Sequence, residues 1–249
     1  MRVHVAFTPA EVPVATQAEP GQLLSGDASV AFWGGVGIVV DVLRATSTIA
    51  QALASGYERV YCCAEIEEAR ALRARLGEGL LGGERSAVRI EGFDVGASPR
   101  EFLDEPREKT VIFSTTNGTR AILETAARSE EVLLGSLLNL HAVAAAARGR
   151  GEDVAIICAG FHGQFALDDA YCAGRIVQLL GGEPSDSAKA AESIARAWPD
   201  PHEGLLARTY GPPGLEEDIA FCAQVGILDV VPRLSRMVDG AAEITKGES

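Results

Sequence analysis

Short β-rich runs alternate with helical stretches along most of this chain, and no other feature restricts the fold as tightly. Residues 37–42, GIVVDV, are almost continuously apolar, the pattern of a strand covered on both faces of a parallel sheet. Further strands are expected at 3–7, 60–63, 111–114, 132–134 and 154–158, and helices at 48–55, 65–76, 118–128, 140–148 and 167–180. Gly56 and the Gly181-Gly182 pair stand where two of these helices should stop. Strands that alternate with helices imply crossover connections, so the pattern predicts an α/β fold: three layers, α/β/α, around a largely parallel or mixed sheet. The succession strand, polar turn, helix, strand, helix occurs at 38–72 and again at 111–147, as two duplicated halves would produce. Any α/β chain repeats such units, so the pattern alone does not separate duplication from ordinary architecture.

Residues 77–106 are polar and rich in glycine and read as a long loop region, the kind that is usually functional or mobile. Five prolines between 184 and 213 change the composition again, although 186–198 reads as an amphipathic helix capped by Asp186 or Ser187. Packed elements resume at 216–223 and 228–238. No linker separates independent units, and residues 1–249 are expected to form a single domain.

The chain carries 22 Lys and Arg against 35 Asp and Glu, a formal net charge of −13. Such a surface repels phosphate backbones and anionic lipid, so neither nucleic acid nor membrane is expected as a partner. An acidic protein that binds an anion must gather its few arginines locally. None of the five cysteines forms a Cys-x-x-Cys pair; free thiols packed as small hydrophobes in a cytoplasmic protein are expected. No export signal is expected. The least polar run, 28–40, is broken by Gly34, Gly35 and Gly37 and is shorter than the ~20 residues that cross a bilayer.

In open parallel sheets ligands bind beyond the carboxyl ends of the strands. Three such ends are unusually polar here. Ser114-Thr115-Thr116-Asn117-Gly118-Thr119-Arg120 has the composition of an anion cradle: a glycine for close approach, hydroxyls, an amide and a guanidinium. Simple helix capping by Thr116 or Asn117 needs only one of these residues. Asp41-Val42-Leu43-Arg44-Ala45-Thr46-Ser47-Thr48 places a carboxylate at the end of a buried strand, suited to a hard cation, to nucleophilic attack, or to an internal ion pair with Arg44. The third end runs through Gly160 and His162 to Asp168-Asp169, acids that also complement a helix dipole. His162 is a candidate proton donor. Cys158 has no evident base beside it. In the polar region, Glu84, Arg85, Asp94, Ser98 and Arg100 are ligand candidates.

Together the strings VVDVLRATSTI (39–49), GGER (82–85), GFDVGASP (92–99), STTNGTRA (114–121), CAGFHGQFALDDAYCAGRIV (158–177) and DIAFCAQVGILDVVPRL (218–234) resemble the ComB family of 2-phosphosulfolactate phosphatases. The resemblance implies Mg2+-dependent removal of phosphate from (R)-2-phospho-3-sulfolactate, with the polar strand ends and the GGER–GFDVGASP region converging on one site. For such chemistry the expected metal ligands are Asp41 with Asp168 or Asp169, and the catalytic candidates are Asp41, Glu84 and Asp169. Substrate contacts are expected from Arg44, Thr46, Ser47, Arg85, Ser98, Arg100, Thr115, Thr116, Asn117, Gly118 and Arg120. Ala97 stands where the family pattern suggests asparagine, and Asp168 where glutamate is commoner. The expected partners are a small anionic phosphorylated substrate and, in a homodimer, a second copy of the chain. A phosphatase for another phosphorylated hydroxy acid, and a non-catalytic anion- or nucleotide-binding protein, are the alternatives. The latter would need the cradle but not the carboxylates.

Overall fold

The computed structural model describes residues 1–11, 35–106 and 108–247; the first half of the apolar run at 28–40 lies outside them. Strands β1 (Arg2–Ala6), β2 (Val36–Val40), β6 (Thr110–Ser114), β7 (Glu131–Gly135) and β8 (Val154–Cys158) fall within a residue or two of the expected positions, as do β3 (Arg59–Cys62) and the helices α2 (Ile66–Leu76), α3 (Gly118–Ala126), α4 (Leu140–Arg150), α5 (Leu167–Leu180) and α6 (Asp186–Ala197). Helix α1 (Ala45–Ala54) begins three residues earlier than its apolar periodicity indicates.

Among the described residues one eleven-stranded mixed sheet forms the middle layer. It includes β4 (Leu80–Arg85), β5 (Val88–Arg89), β9 (Glu183–Pro184), β10 (Arg233–Val238) and β11 (Ala241–Thr245), in the order β5-β4-β6-β3-β11-β10-β7-β2-β8-β1-β9. β4, β6 and β3 run parallel, as do β7, β2, β8, β1 and β9. The β10–β11 hairpin lies between these groups and pairs antiparallel on both sides, so the two parallel half-sheets have opposite senses. Alternation along each strand makes the three layers. Val36, Ile38 and Val40 of β2 pack with α4, α5 and α6, whereas Val39 points through the sheet to α1 and α3. Tyr61 and Ile112 turn toward α2, while Val60, Cys62, Val111 and Phe113 join Val39. The stretches 38–72 and 111–147 form the same succession of elements, and their strands interleave: β2 beside β7, β3 beside β6.

Two expectations change. Gly82-Gly83-Glu84-Arg85 is strand β4, not loop. An added Cβ at Gly83 would lie 2.0 Å from the Ser114 carbonyl oxygen and one at Gly82 3.0 Å from the Phe113 ring, so these glycines mark backbone packed closely against β6. After α7 (Pro201–Leu206) the closing segment holds short α8 (Glu216–Cys222), but 228–238 is strand only from Arg233 and turns through Asp239 and Gly240, both at positive φ, into β11. All five cysteines are buried and free.

Candidate active site

Strand ends from both half-sheets open onto one cavity of about 310 Å3. Asp41 follows β2; Thr115, Thr116 and Asn117 link β6 to α3; Gly160, Phe161 and His162 follow β8; Asp168 and Asp169 open α5; Glu84 comes from β4. This is where a parallel sheet leaves main-chain groups unpaired and where side chains at the ends of different strands can meet.

The four acids divide into two kinds by what their oxygens already hold. Asp169 accepts the Val42 N–H at 2.9 Å and the Gly160 N–H at 3.0 Å, joining the ends of the neighbouring strands β2 and β8. Glu84 accepts the Thr116 N–H at 2.8 Å and the Ala87 N–H at 2.6 Å, joining β4 to the β6 turn. Both residues line the cavity, but each carboxylate staples two loops. Among the described residues Asp41 accepts only the Ala45 N–H, through Oδ1 at 3.2 Å; Oδ2 faces Gly118, where an added Cβ would sit 2.6 Å from it. Gly118 thus makes room for the Asp41 carboxylate. Asp168 accepts the Asp169 N–H and the Tyr210 hydroxyl on Oδ1.

Burying these carboxylates together raises their affinity for protons. Burial is the main cause at Asp41, which is pushed up to about 7, with the charges of Glu84 and Asp168 adding to it. Burial first, then Asp168 and Asp41, lifts Asp169 well above the usual carboxylate range, and burial also raises Asp168 despite its Tyr210 bond and Arg208. The acids of the cluster repel one another when ionised, and their donors are hard oxygens, which suits a cation such as magnesium. Among the described residues no three His, Cys, Asp or Glu side chains gather closely enough to hold a metal by themselves. Magnesium usually takes one or two protein carboxylates and completes its shell with water and substrate.

Arg44 lines the cavity but does not pair with Asp41. Its Nη1 donates to Asp218 of α8 at 2.5 Å and its Nη2 to the Ala87 carbonyl at 3.1 Å, both ionic side chains being buried. Ser98 donates to the other Asp218 oxygen, at 2.5 Å. Thr115, Thr116 and Asn117 reach the cavity. Asn117 occupies the N-cap of α3 without a side-chain cap bond; its Oδ1 instead accepts the His162 N–H and ties two strand ends together.

The other expected substrate contacts lie elsewhere. Thr46 and Ser47 are fully buried and hydrogen-bond to the Asp41 and Val42 carbonyls, fixing the turn into α1. Arg85 donates to Ser114 and to the Ala64 and Glu84 carbonyls. Arg100 and Arg120 are exposed and pair with Glu217 and Glu65. In each case a nearer acceptor turns the side chain away. Ala97 does line the cavity, its carbonyl accepting the Thr48 hydroxyl. Sequence reasoning missed Arg208 and Tyr210. They come from the proline-rich stretch, where no strand-end position or motif marks them, and the run GPPG at 211–214 was the one signal of a shaped strap.

The model of the 2-phosphosulpholactate phosphatase family matches residues 27–237. The chain belongs to that family. A probable 2-phosphosulfolactate phosphatase of Thermus thermophilus is 42% identical over 214 residues, 82% of this chain and 90% of its own length. One of Caldanaerobacter subterraneus subsp. tengcongensis is 41% identical over 79% of this chain and 86% of its own, and one of Carboxydothermus hydrogenoformans 39% identical over 78% and 84%. The matched region contains every strand end that meets at the cavity, as well as Arg208, Tyr210 and Asp218. Among the described residues no helix is long and apolar enough to cross a membrane.

Proposed function

We propose that this chain hydrolyses (R)-2-phospho-3-sulfolactate to 3-sulfolactate and phosphate, with Mg2+ as cofactor. The substrate is taken from the relatives' names. The observation that carries the chemistry is the pair of buried acids, Asp41 and Asp168, beside a polar strand end inside one small cavity. A binding protein would not need such carboxylates, because they repel the anion it is meant to hold.

Asp41 and Asp168 are the residues that would hold magnesium, which supplies charge neutralisation at the phosphoryl oxygens and an acidified, oriented water. The chain does the rest. Asp169 and Glu84 spend their oxygens on main-chain amides and so hold the strand ends in register, which leaves Asp41 and Asp168 as the acids with oxygen free for the ion. In the metal-free protein burial pushes Asp41 up to about 7, so binding the ion would displace its proton. Thr115, Thr116 and Asn117 offer hydroxyl and amide groups to the phosphoryl oxygens. Arg44, fixed by Asp218, adds a buried guanidinium to the lining.

The reading takes residues 1–249 as one catalytic unit, a homodimer, in the cytoplasm. Five buried, unpaired cysteines favour a reducing compartment. Phosphate release from 2-phosphosulfolactate, with and without EDTA, tests the activity. Turnover above 1 s−1 that vanishes with EDTA and returns with magnesium is expected, that rate being about typical of enzymes. Equal turnover with chelator, or faster turnover of 2-phospholactate, would overturn the cofactor or the substrate. Light scattering should give twice 26.1 kDa.

A further inference from the structure

We infer that Arg208 reads a second anionic group of the substrate, one carried on the carbon skeleton apart from the phosphate, and thereby decides which monoesters the cavity accepts. The inference rests on the phosphatase reading above and adds a residue that sets specificity.

The arginine inventory points to Arg208. Arg44 meets the cavity with its charge already balanced by Asp218. Arg85, Arg100 and Arg120 are engaged outside the cavity. Arg208 lines the cavity, is partly buried, and makes no ion pair among the described residues. An unpaired guanidinium there is costly unless a ligand supplies the anion.

Its mounting suits recognition. The guanidinium lies 5.8 Å from the centre of the Tyr210 ring. That ring stacks on Phe161, with centroids 4.8 Å apart, and the Tyr210 hydroxyl donates to Asp168. A strap from a different part of the chain therefore presents a held, planar fork of N–H donors beside the acid cluster. With the phosphate at Asp41 and the Thr115–Asn117 turn, the group left for Arg208 is a carboxylate or a sulfonate. Guanidinium matches such oxyanions two bonds at a time. A monoester with a neutral tail would leave the fork unsatisfied, the condition under which a polar site discriminates strongly.

The test compares wild-type enzyme, Arg208→Ala and Arg208→Lys, with magnesium present, on 2-phosphosulfolactate, 2-phospholactate and p-nitrophenyl phosphate. Arg208→Ala should lower kcat/KM on the acid-bearing esters about 30-fold or more, mainly through KM, and change p-nitrophenyl phosphate by less than threefold. Arg208→Lys should recover part of the loss and carries the comparison if the alanine variant does not fold. A loss confined to 2-phosphosulfolactate assigns the sulfonate; a loss on both acid-bearing esters assigns the carboxylate. An equal loss on all three compounds, or none, overturns the inference. Calorimetry reads it without turnover. Arg208→Ala should weaken 3-sulfolactate binding at least tenfold and leave inorganic phosphate binding unchanged. A wild-type enzyme that binds 3-sulfolactate in this Arg208-dependent way but releases no phosphate would sink the phosphatase reading alone.

Discussion

Replacing Asp41 by asparagine separates the carboxylate's chemistry from its place in the fold. The amide keeps the size of the side chain and an oxygen for the Ala45 N–H, so packing beside Gly118 should persist. The electrostatic change is large. Asp41 is lifted from 3.8 to about 7 by burial and by neighbouring acids, so the folded protein binds its proton more tightly than the unfolded chain does. A group raised in this way contributes its full stability below pH 3.8 and loses it as pH rises through about 7. At about 1.4 kcal/mol per pH unit, that loss reaches at most about 4 kcal/mol by pH 8 in metal-free protein. The asparagine variant pays none of it. Urea unfolding in EDTA should therefore show the variant only about 1 kcal/mol more stable at pH 4.5 and about 2–4 kcal/mol more stable at pH 8. Phosphate release should fall at least 100-fold at every pH, and magnesium should no longer stabilise the protein. A variant no more stable than wild type at pH 8, or one that keeps a tenth of the turnover, would refute both the buried charge cluster and Asp41's part in it.

Other substitutions probe the surrounding supports. Gly118→Ala places a Cβ 2.5 Å from that of Ala45 and 2.6 Å from Asp41 Oδ2; chemical denaturation should show a loss of about 1–3 kcal/mol, and assay a drop in kcat of at least tenfold. Asp218→Ala leaves the buried Arg44 charge without its partner, so a loss of about 3–5 kcal/mol is expected, with a higher KM. Arg120→Ala removes only an exposed pair with Glu65; stability within about 1 kcal/mol and turnover within twofold of wild type are expected, and a tenfold loss would return Arg120 to the site.

Much of the architecture could be read locally. Apolar runs and the glycines that end helices located six of the core strands and the long helices, because a strand or helix period is set by residues a few positions apart. The rule that ligands gather at strand ends identified Asp41, Thr115–Asn117 and Asp168-Asp169 as neighbours. Reading glycine as loop failed for Gly82-Gly83, since the same glycines that mark loops also let β4 lie close against β6. The hairpin signal Asp239-Gly240 was present but unused, and nothing local says that its strands lie between the two half-sheets.

The sequence by itself determined the succession of elements, the acidic balance and the presence of reactive groups at strand ends. Tertiary structure decided what those groups do. Asp169 and Glu84 became staples because main-chain amides from other strands reach them first. Arg44 found its counter-charge 174 residues away in Asp218, and Arg208 entered from a strap with no motif. Secondary structure depends on neighbours along the chain, whereas the direction of a long side chain and the balance of a buried charge depend on whichever groups the fold brings alongside.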